Sequence, residues 1–274
     1  KENNIPFLNM SKNVLVTGGS GFIGSHVVDF LIKKKYNVTV FDLTSPKRKD
    51  VEFIKGSILD KTLIRHSLKN IDFVFHLAAV SDINKVRGMP VKTINTNILG
   101  TAHLLEASRN KNVKRFIFAS SVYSFGNTGN LYTTSKISSE LLIKNYRLLF
   151  GQNFTILRYS TAYGPRSREV DAVSIFVERA LKNLDIVIFG DGQQKRNYLH
   201  VEDLAKGSMM AFKQKTKNKI ITLVSENNIK IFNLAKVIIR LTNSRSKIRF
   251  NKKNKRFDDF TSNYSYNKTK RNLV

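Results

Sequence analysis

The sequence predicts an α/β protein: a doubly wound parallel sheet followed by a smaller C-terminal α/β lobe. Three observations carry that expectation. Short β-branched and apolar runs alternate with amphipathic helical stretches from residue 13 to residue 159, the order that builds a parallel sheet with helices on both faces. Several of the strand runs are almost continuously apolar, as strands buried on both faces must be. The stretch from Val14 to Ser25, V-L-V-T-G-G-S-G-F-I-G-S, sets a strand, a glycine turn and a helix in succession.

The first strand is expected over 13–17 and the first helix over 22–34, where Phe22, Ile23, Val27, Val28, Phe30, Leu31 and Ile32 repeat at helical intervals. Between them, Gly18, Gly21 and Gly24 follow G-x-x-G-x-x-G spacing. Glycines are needed there because the chain turns sharply and its backbone must come close to a pyrophosphate. The helix N-terminus then offers free N–H groups and a positive dipole end to the phosphates. The strand before and the helix after supply the context that gives such a triplet its meaning. The second strand, 37–41, ends at Asp42, eighteen residues after Gly24. A carboxylate at that place accepts the hydroxyls of an adenosine ribose and repels a 2′-phosphate, which favours NAD over NADP. Lys47 and Arg48 lie close enough in sequence to keep that choice open.

A third strand over 51–54, a loop over 56–60 and a helix over 62–68 lead to the fourth strand, 71–77. His76 at its end reads as a structural histidine rather than a catalyst. A helix over 97–108, a fifth strand over 113–120 running into Ser121, a helix over 131–150 and a sixth strand over 154–159 complete the sheet. After Gly164-Pro165 the elements shorten and the loops carry more charge. Helices are expected over 173–181, 203–212 and 231–241, and strands over 186–189, 220–224 and 247–250, with a turn at Gly190-Asp191-Gly192. Two domains follow: a nucleotide-binding domain over 1–164 and a substrate lobe over 165–274, parts of which are free to pack back on the first.

Composition narrows the function classes. At 41% hydrophobic and 24% charged the chain is ordinary for a globular protein. It has no cysteine, so disulfides and thiolate metal sites are excluded, and its five scattered histidines form no H-x-x-x-H pair, so no metal is expected. No apolar run reaches membrane-spanning length, and residues 1–10 lack a signal-peptide core, so a cytoplasmic protein with no membrane partner is expected. The net charge of +27 is spread along the chain without an interleaved aromatic stacking platform. It reads as solvated faces and steering of an anionic substrate rather than as a nucleic-acid interface.

The chemistry centres on three residues. Ser121 ends a central strand, at the carboxyl edge where such sheets bind ligands. Tyr132 and Lys136 lie four apart on an expected helix and share a face, with Cβ atoms roughly 5–6 Å apart. A lysine cation beside a phenol lowers the phenol pKa from about 10 toward working pH, and a positively charged nicotinamide would lower it further. Tyr132 is thereby expected to act as general base and acid for a hydroxyl, with Ser121 sharing or relaying the proton. A second Tyr-x-x-x-Lys copy, Tyr264 with Lys268, lies in a polar tail with no strand before it and reads as coincidence.

Taken together, these motifs resemble the extended short-chain dehydrogenases/reductases, in particular the NAD-dependent nucleotide-sugar epimerases and dehydratases, over nearly the whole chain. T-G-G-S-G-F-I-G resembles the family's cofactor loop, and Phe75-His76-Leu77-Ala78-Ala79 its fourth-strand signature. Asn97-Ile98-Leu99-Gly100-Thr101 is similar to the start of its next helix. Phe118-Ala119-Ser120-Ser121 and Tyr132-Thr133-Thr134-Ser135-Lys136 resemble its catalytic segments. Leu157-Arg158-Tyr159 and Tyr163-Gly164-Pro165-Arg166 resemble its crossing into the substrate lobe. The stretch from Phe189 to Tyr198, Val201-Glu202-Asp203, and Arg256-Phe257-Asp258-Asp259 resemble its later substrate motifs.

The resemblance implies a Rossmann-type fold and NAD as cofactor. It implies cofactor contacts at Gly18, Gly21, Phe22, Ile23, Gly24, Asp42, Ser57, Ile58, Leu77, Ala78, Ala79, Asn97, Tyr132 and Lys136. Substrate contacts are implied at Thr161, Arg196 and Arg256, the two arginines clamping a nucleotide-sugar diphosphate. Relatives commonly dimerise through the helices here over 97–108 and 131–150, and Leu141, Leu142 and Leu148 suit either that interface or the core. Ser57 stands where the family usually has aspartate, Thr161 where it usually has asparagine, and Ser124-Phe125-Gly126 replaces its Val-Tyr-Gly.

Members that eliminate water or carbon dioxide carry carboxylates just after the catalytic hydroxyl residue. This chain has Val122 and Tyr123 there. The expectation is therefore 4-epimerisation of a nucleotide-sugar, a UDP-hexose, through a 4-keto intermediate. The nearest rival is an NAD(P)-dependent nucleotide-sugar reductase, dehydrogenase or dehydratase, separated by net cofactor turnover. A rival of another class is a catalytically impaired nucleotide- or nucleic-acid-binding protein, whose signature would be salt-sensitive binding without sugar turnover.

Overall fold

Alternation along β1 (Asn13–Thr17) divides the core in two. Val14 and Val16 face one side of the sheet and Leu15 the other, and none of the three is exposed, because successive strand side chains point to opposite faces. The computed structural model describes residues 12–126 and 130–251. After β1 come α1 (Phe22–Lys33), β2 (Asn37–Asp42), β3 (Glu52–Lys55), α2 (Lys61–Ser67) and β4 (Phe73–His76). Two short helices, α3 (Ile83–Gly88) and α4 (Pro90–Ile94), and a π-helical turn over Asn95–Leu99 run into α5 (Gly100–Asn110). Then follow β5 (Arg115–Ser121), a 3₁₀ turn over Val122–Phe125, α6 (Leu131–Phe150), β6 (Phe154–Tyr159) and β7 (Thr161–Tyr163). The remainder is α7 (Ala172–Leu181), β8 (Ile186–Phe189), β9 (Lys195–His200), α8 (Val201–Ser208), β10 (Lys219–Leu223), β11 (Asn228–Lys230), α9 (Ile231–Leu241) and β12 (Ile248–Asn251).

Seven strands form one parallel sheet in the order β10-β6-β5-β4-β1-β2-β3. This is the doubly wound sheet that the sequence predicts. From β1 the chain moves outward through β2 and β3, then returns to lay β4 on the other side of β1. That reversal opens a crevice at the carboxyl ends of β1 and β4, where open α/β sheets bind ligands. The loops after the two strands touch there. Gly18 has φ of +72°, and a Cβ on it would stand 2.6 Å from the Ala78 nitrogen. Gly24, in the first turn of α1, brings that helix so close that a Cβ would meet the Gly18 carbonyl oxygen at 2.0 Å.

Helices cover both faces. Val27, Val28 and Leu31 of α1 pack with Leu204 and Ala205 of α8 against Val14, Phe75, Ile117 and Leu157. On the other face, Ile64 of α2, Leu104 and Leu105 of α5 and Ile143 of α6 pack against Leu15, Val74, Phe116 and Ile156. A third cluster, with Phe176, Ile186, Ile188, Leu234 and Ile238, binds α7, β8 and α9 into the smaller lobe. No helix among the described residues is long and apolar enough to cross a membrane.

The segment after Gly164 divides its elements. β10, expected in the second lobe, extends the main sheet beside β6, and α8 packs on α1. Arg115, at the start of β5, fastens this returning segment: it is buried and donates to the carbonyls of Ala211 and Lys213, both at 2.7 Å. The strands β7, β9 and β11 form a small separate sheet. They are three to six residues long and half-exposed, so neither length nor alternation marks them in the sequence.

The glycine contacts set a direct test. Gly24→Ala should lower stability by roughly 1–3 kcal/mol, the usual cost of forcing atoms into a packed site. Gly88→Ala, where a Cβ meets nothing within 4 Å, should leave the melting temperature nearly unchanged. Equal melting temperatures for the two variants would contradict the close approach of α1 to the glycine turn.

Candidate active site

A cavity of about 1310 Å³ runs along the carboxyl edge of the main sheet, between that sheet and the smaller lobe. Gly18, Gly21, Phe22, Ile23 and Gly24 line it, with Asp42 after β2, Ser57 and Ile58 after β3, and Leu77, Ala78 and Ala79 after β4. Ser121, Tyr132 and Lys136 line it from β5 and α6, and Thr161 and Arg196 from β7 and β9. Sixteen of the candidate residues therefore converge on one space. Arg256, Tyr264 and Lys268 lie outside the described residues.

The lining fits a dinucleotide. Gly21, the N-cap of α1, leaves that helix end without a side-chain cap and without an acidic residue in the first turn. Its N–H groups are thus available to an anion. Asp42 accepts the Ser20 N–H at 3.0 Å and the Thr44 N–H at 3.2 Å, which fixes its carboxylate beside the glycine turn.

Local sequence places Tyr132 and Lys136 through α6. Asn130 caps the helix by accepting the Thr133 N–H at 3.1 Å, and Gly151 ends it at φ of +72°. Tyr132 and Lys136 sit in the first two turns, facing β5. The Lys136 ammonium is buried, donates to the Ala119 carbonyl at 2.7 Å, and stands 5.6 Å from the centre of the Tyr132 ring. Burial pushes its pKa down to about 7, opposed by the negative charge of Glu140 one turn further along. Burial also pushes the Tyr132 phenol up to about 12, with the positive charge of Arg168 pulling it back. This corrects the expectation that Lys136 lowers the phenol pKa. In the protein alone, desolvation of the phenol outweighs the charge of Arg168.

Buried polar groups frame the site. His76 Nδ1 lies 2.7 Å from the Thr17 hydroxyl, and its Nε2 lies 2.9 Å from the Thr101 hydroxyl, which donates to the Asn97 carbonyl at 2.6 Å. These partners assign the Nε2–H tautomer. Burial, aided by the Lys136 charge, holds the imidazole neutral with a pKa of about 3. His76 is structural, as expected.

Asn97, in contrast, does not line the cavity. Its side chain accepts the Val80 N–H at 2.8 Å and donates to the Val80 carbonyl and to Ser135 at 3.0 Å. It shapes the loop after β4 from behind rather than facing a ligand.

Two further residues at the site, Glu140 and Arg168, were not singled out from sequence. Glu140 is buried and accepts Ser120 Oγ at 2.5 Å and the Arg158 guanidinium at 2.9 and 2.6 Å. Arg158 in turn lies 4.5 Å from the Phe125 ring centre, so the pair braces the turn that follows Ser121. The spacing of Glu140 four residues after Lys136 was visible, but its partner on β6 was not. Arg168, paired with Asp171 at 2.7 Å, and Tyr123, whose ring stands edge-on to Tyr132 at 6.4 Å, both line the cavity. Arg168 carries no sequence signal of its own, whereas Tyr123 is one of the two residues that follow Ser121 in place of carboxylates. No group of His, Cys, Asp and Glu able to hold a metal forms among the described residues.

Residues 14–224 match the model of the NAD dependent epimerase/dehydratase family. The chain is 37% identical over 233 residues to a Methanocaldococcus jannaschii protein assigned as a UDP-glucose 4-epimerase, covering 77% of this chain and 76% of that one. It is 34% identical over 268 residues to a UDP-N-acetyl-alpha-D-glucosaminuronate decarboxylase of Bacillus cytotoxicus, covering 87% and 83%. The crystal structure of a UDP-glucose 4-epimerase from Thermotoga maritima with UDP-glucose superposes with a TM-score of 0.83 at 31% identity, covering 88% of this chain and 85% of that one.

The neutral buried imidazole gives the site a pH signature. Below about pH 6.5 the unfolded chain binds a proton on His76 that the folded chain, with its pKa of about 3, refuses. The stability His76 allows is therefore present above pH 6.5 and lost as pH falls toward 3, by up to about tenfold in the unfolding constant per pH unit. Urea unfolding between pH 4 and 7 should show a shallower slope for His76→Gln than for the wild type. Identical slopes would contradict a neutral buried His76.

Proposed function

The chain belongs to the NAD-dependent epimerase/dehydratase family, and from that footing we propose that it is a nucleotide-sugar 4-epimerase acting on a UDP-hexose. The observation that supports this reading within the family is the pair of residues after Ser121. Val122 is buried and Tyr123 turns its ring toward Tyr132. Eliminating water from a 4-keto sugar needs one group to take the C5 proton and another to protonate the leaving hydroxyl. A valine in the core and a phenol provide no carboxylate for either step. Reversible oxidation at C4 makes neither demand.

In this reading Gly18, Gly21 and Gly24 with the first turn of α1 hold the cofactor's pyrophosphate. Asp42 takes the adenosine ribose hydroxyls, and Lys136 binds the nicotinamide ribose. NAD, when bound, supplies the hydride acceptor and donor and a positive charge beside the phenol. Tyr132 takes the proton of the C4 hydroxyl and returns it once the 4-keto sugar has presented its other face. Ser121 holds the same oxygen. Arg168 opposes the desolvation that keeps the phenol protonated. Arg196 contacts the substrate diphosphate, a task suited to a planar guanidinium, and Thr161 lines the sugar end. Two copies of the chain pair through α5 and α6: Leu141 and Leu148 on α6 are exposed, whereas Leu142 packs on the core.

Purified protein incubated with a panel of UDP-sugars, including a UDP-uronic acid, without added NAD tests the reading by NMR. A C4 epimer should form without net NADH, and Tyr132→Phe should reduce its rate by roughly 10²-fold or more, the loss of a positioned acid–base group. Release of carbon dioxide or water, or dependence on stoichiometric cofactor, would overturn it.

A further inference from the structure

Sequence alone left the cofactor's 2′-position undecided, because two cations, Lys47 and Arg48, follow Asp42. The structure separates them from the site. Asp42 and Thr44 line the cavity; Lys47 and Arg48 do not. The loop between is pinned to the glycine turn by the bonds from Ser20 and Thr44 to Asp42 and by the Ser20 hydroxyl, which donates to the Thr44 carbonyl at 2.6 Å. Arg48 points instead at two carboxylates. Its Nε donates to Asp50 Oδ1 at 2.8 Å, its Nη2 to Asp50 Oδ2, and its Nη1 to Asp29 Oδ1 at 2.9 Å. All three guanidinium nitrogens are engaged. Asp29 is itself held from the other side, since its second oxygen accepts Arg166 Nη2 at 2.6 Å.

We infer that Asp29 and Asp50 are specificity residues for the cofactor: they hold Arg48 away from the adenosine ribose and so exclude the 2′-phosphate of NADP. A 2′-phosphate is recognised by a guanidinium that offers it a free pair of N–H donors. Here the Nε–Nη2 pair is held by Asp50, and Nη1 is tied to Asp29. The cluster also pairs charge with charge: Asp50 and Asp29 flank the Arg48 guanidinium, and Asp29 is shared with Arg166. Asp42 repels the phosphate directly, and the two other acids disarm the residue that could compensate. Arg48 sits six residues past Asp42, on the same loop.

The test needs no sugar chemistry, so it stands or falls separately from the proposed epimerase activity. Binding of NAD and NADP to the full chain is measured by calorimetry. Asp50→Asn leaves an exposed side chain of the same size and should not disturb folding. It should improve NADP affinity relative to NAD by about tenfold, the scale of one charge-assisted hydrogen bond, with NAD affinity nearly unchanged. Asp29→Asn added to it should extend the gain, and Arg48→Ala in the same background should abolish it. An unchanged NADP-to-NAD ratio in Asp50→Asn, or a gain that persists without Arg48, would overturn the inference.

Discussion

The structure depends on how closely two loops approach at the point where the sheet reverses direction. The turn after β1 and the loop after β4 touch at Gly18 and Ala78, with less than a side chain's width between them. This contact fixes the floor of the crevice, aims the first turn of α1 into it, and brings the residues after β2, β3 and β4 to one cavity. Glycine is the only residue that allows it. Gly18 needs left-handed backbone, and Gly24 lets the helix lean on the turn. The candidate chemistry on α6 is then placed opposite by a helix whose start and end are both set by local signals, Asn130 and Gly151.

Behind the lining lies a layer of buried polar groups that face no ligand. Thr17, His76 and Thr101 join β1, β4 and α5 by hydrogen bonds, Asn97 clamps Val80, and Glu140 with Arg158 braces the turn after Ser121. Each is satisfied by its neighbours, as buried polar groups must be. They explain how short loops at the end of the sheet hold position without a hydrophobic core of their own. Burial of the two side chains themselves raises the Tyr132 phenol and lowers the Lys136 ammonium. The Arg168 charge therefore works against burial rather than adding to an already acidic group.

Much of this was legible in the sequence because the main sheet is built from strong, periodic signals. The strands 13–17, 37–41 and 154–159 lie within a residue of the observed elements, and α6 has the same limits in both. The glycine spacing, Asp42, Ser121, Tyr132 and Lys136 all face the cavity. What escaped depends on contacts between distant segments. β10 and the isolated strands of the smaller lobe look alike in sequence, yet β10 alone pairs with β6. Asn97 sits in a motif shared with cofactor-binding residues, but its amide is bonded to the Val80 backbone and the Ser135 hydroxyl. The direction of the Tyr132 shift could not be read from its spacing to Lys136, because spacing reports neighbours and not the loss of water.

The proposed function holds that the site moves hydride at C4 and a proton at the C4 oxygen, with no proton chemistry on carbon. It is tested most directly by supplying UDP-glucose deuterated at C4 in ordinary water and locating the label in the recovered sugars by NMR. The account expects a C4 epimer that keeps deuterium at C4 and gains no solvent hydrogen there or at C5. Loss of the label to water, or exchange at C5, would show proton chemistry on carbon and contradict it.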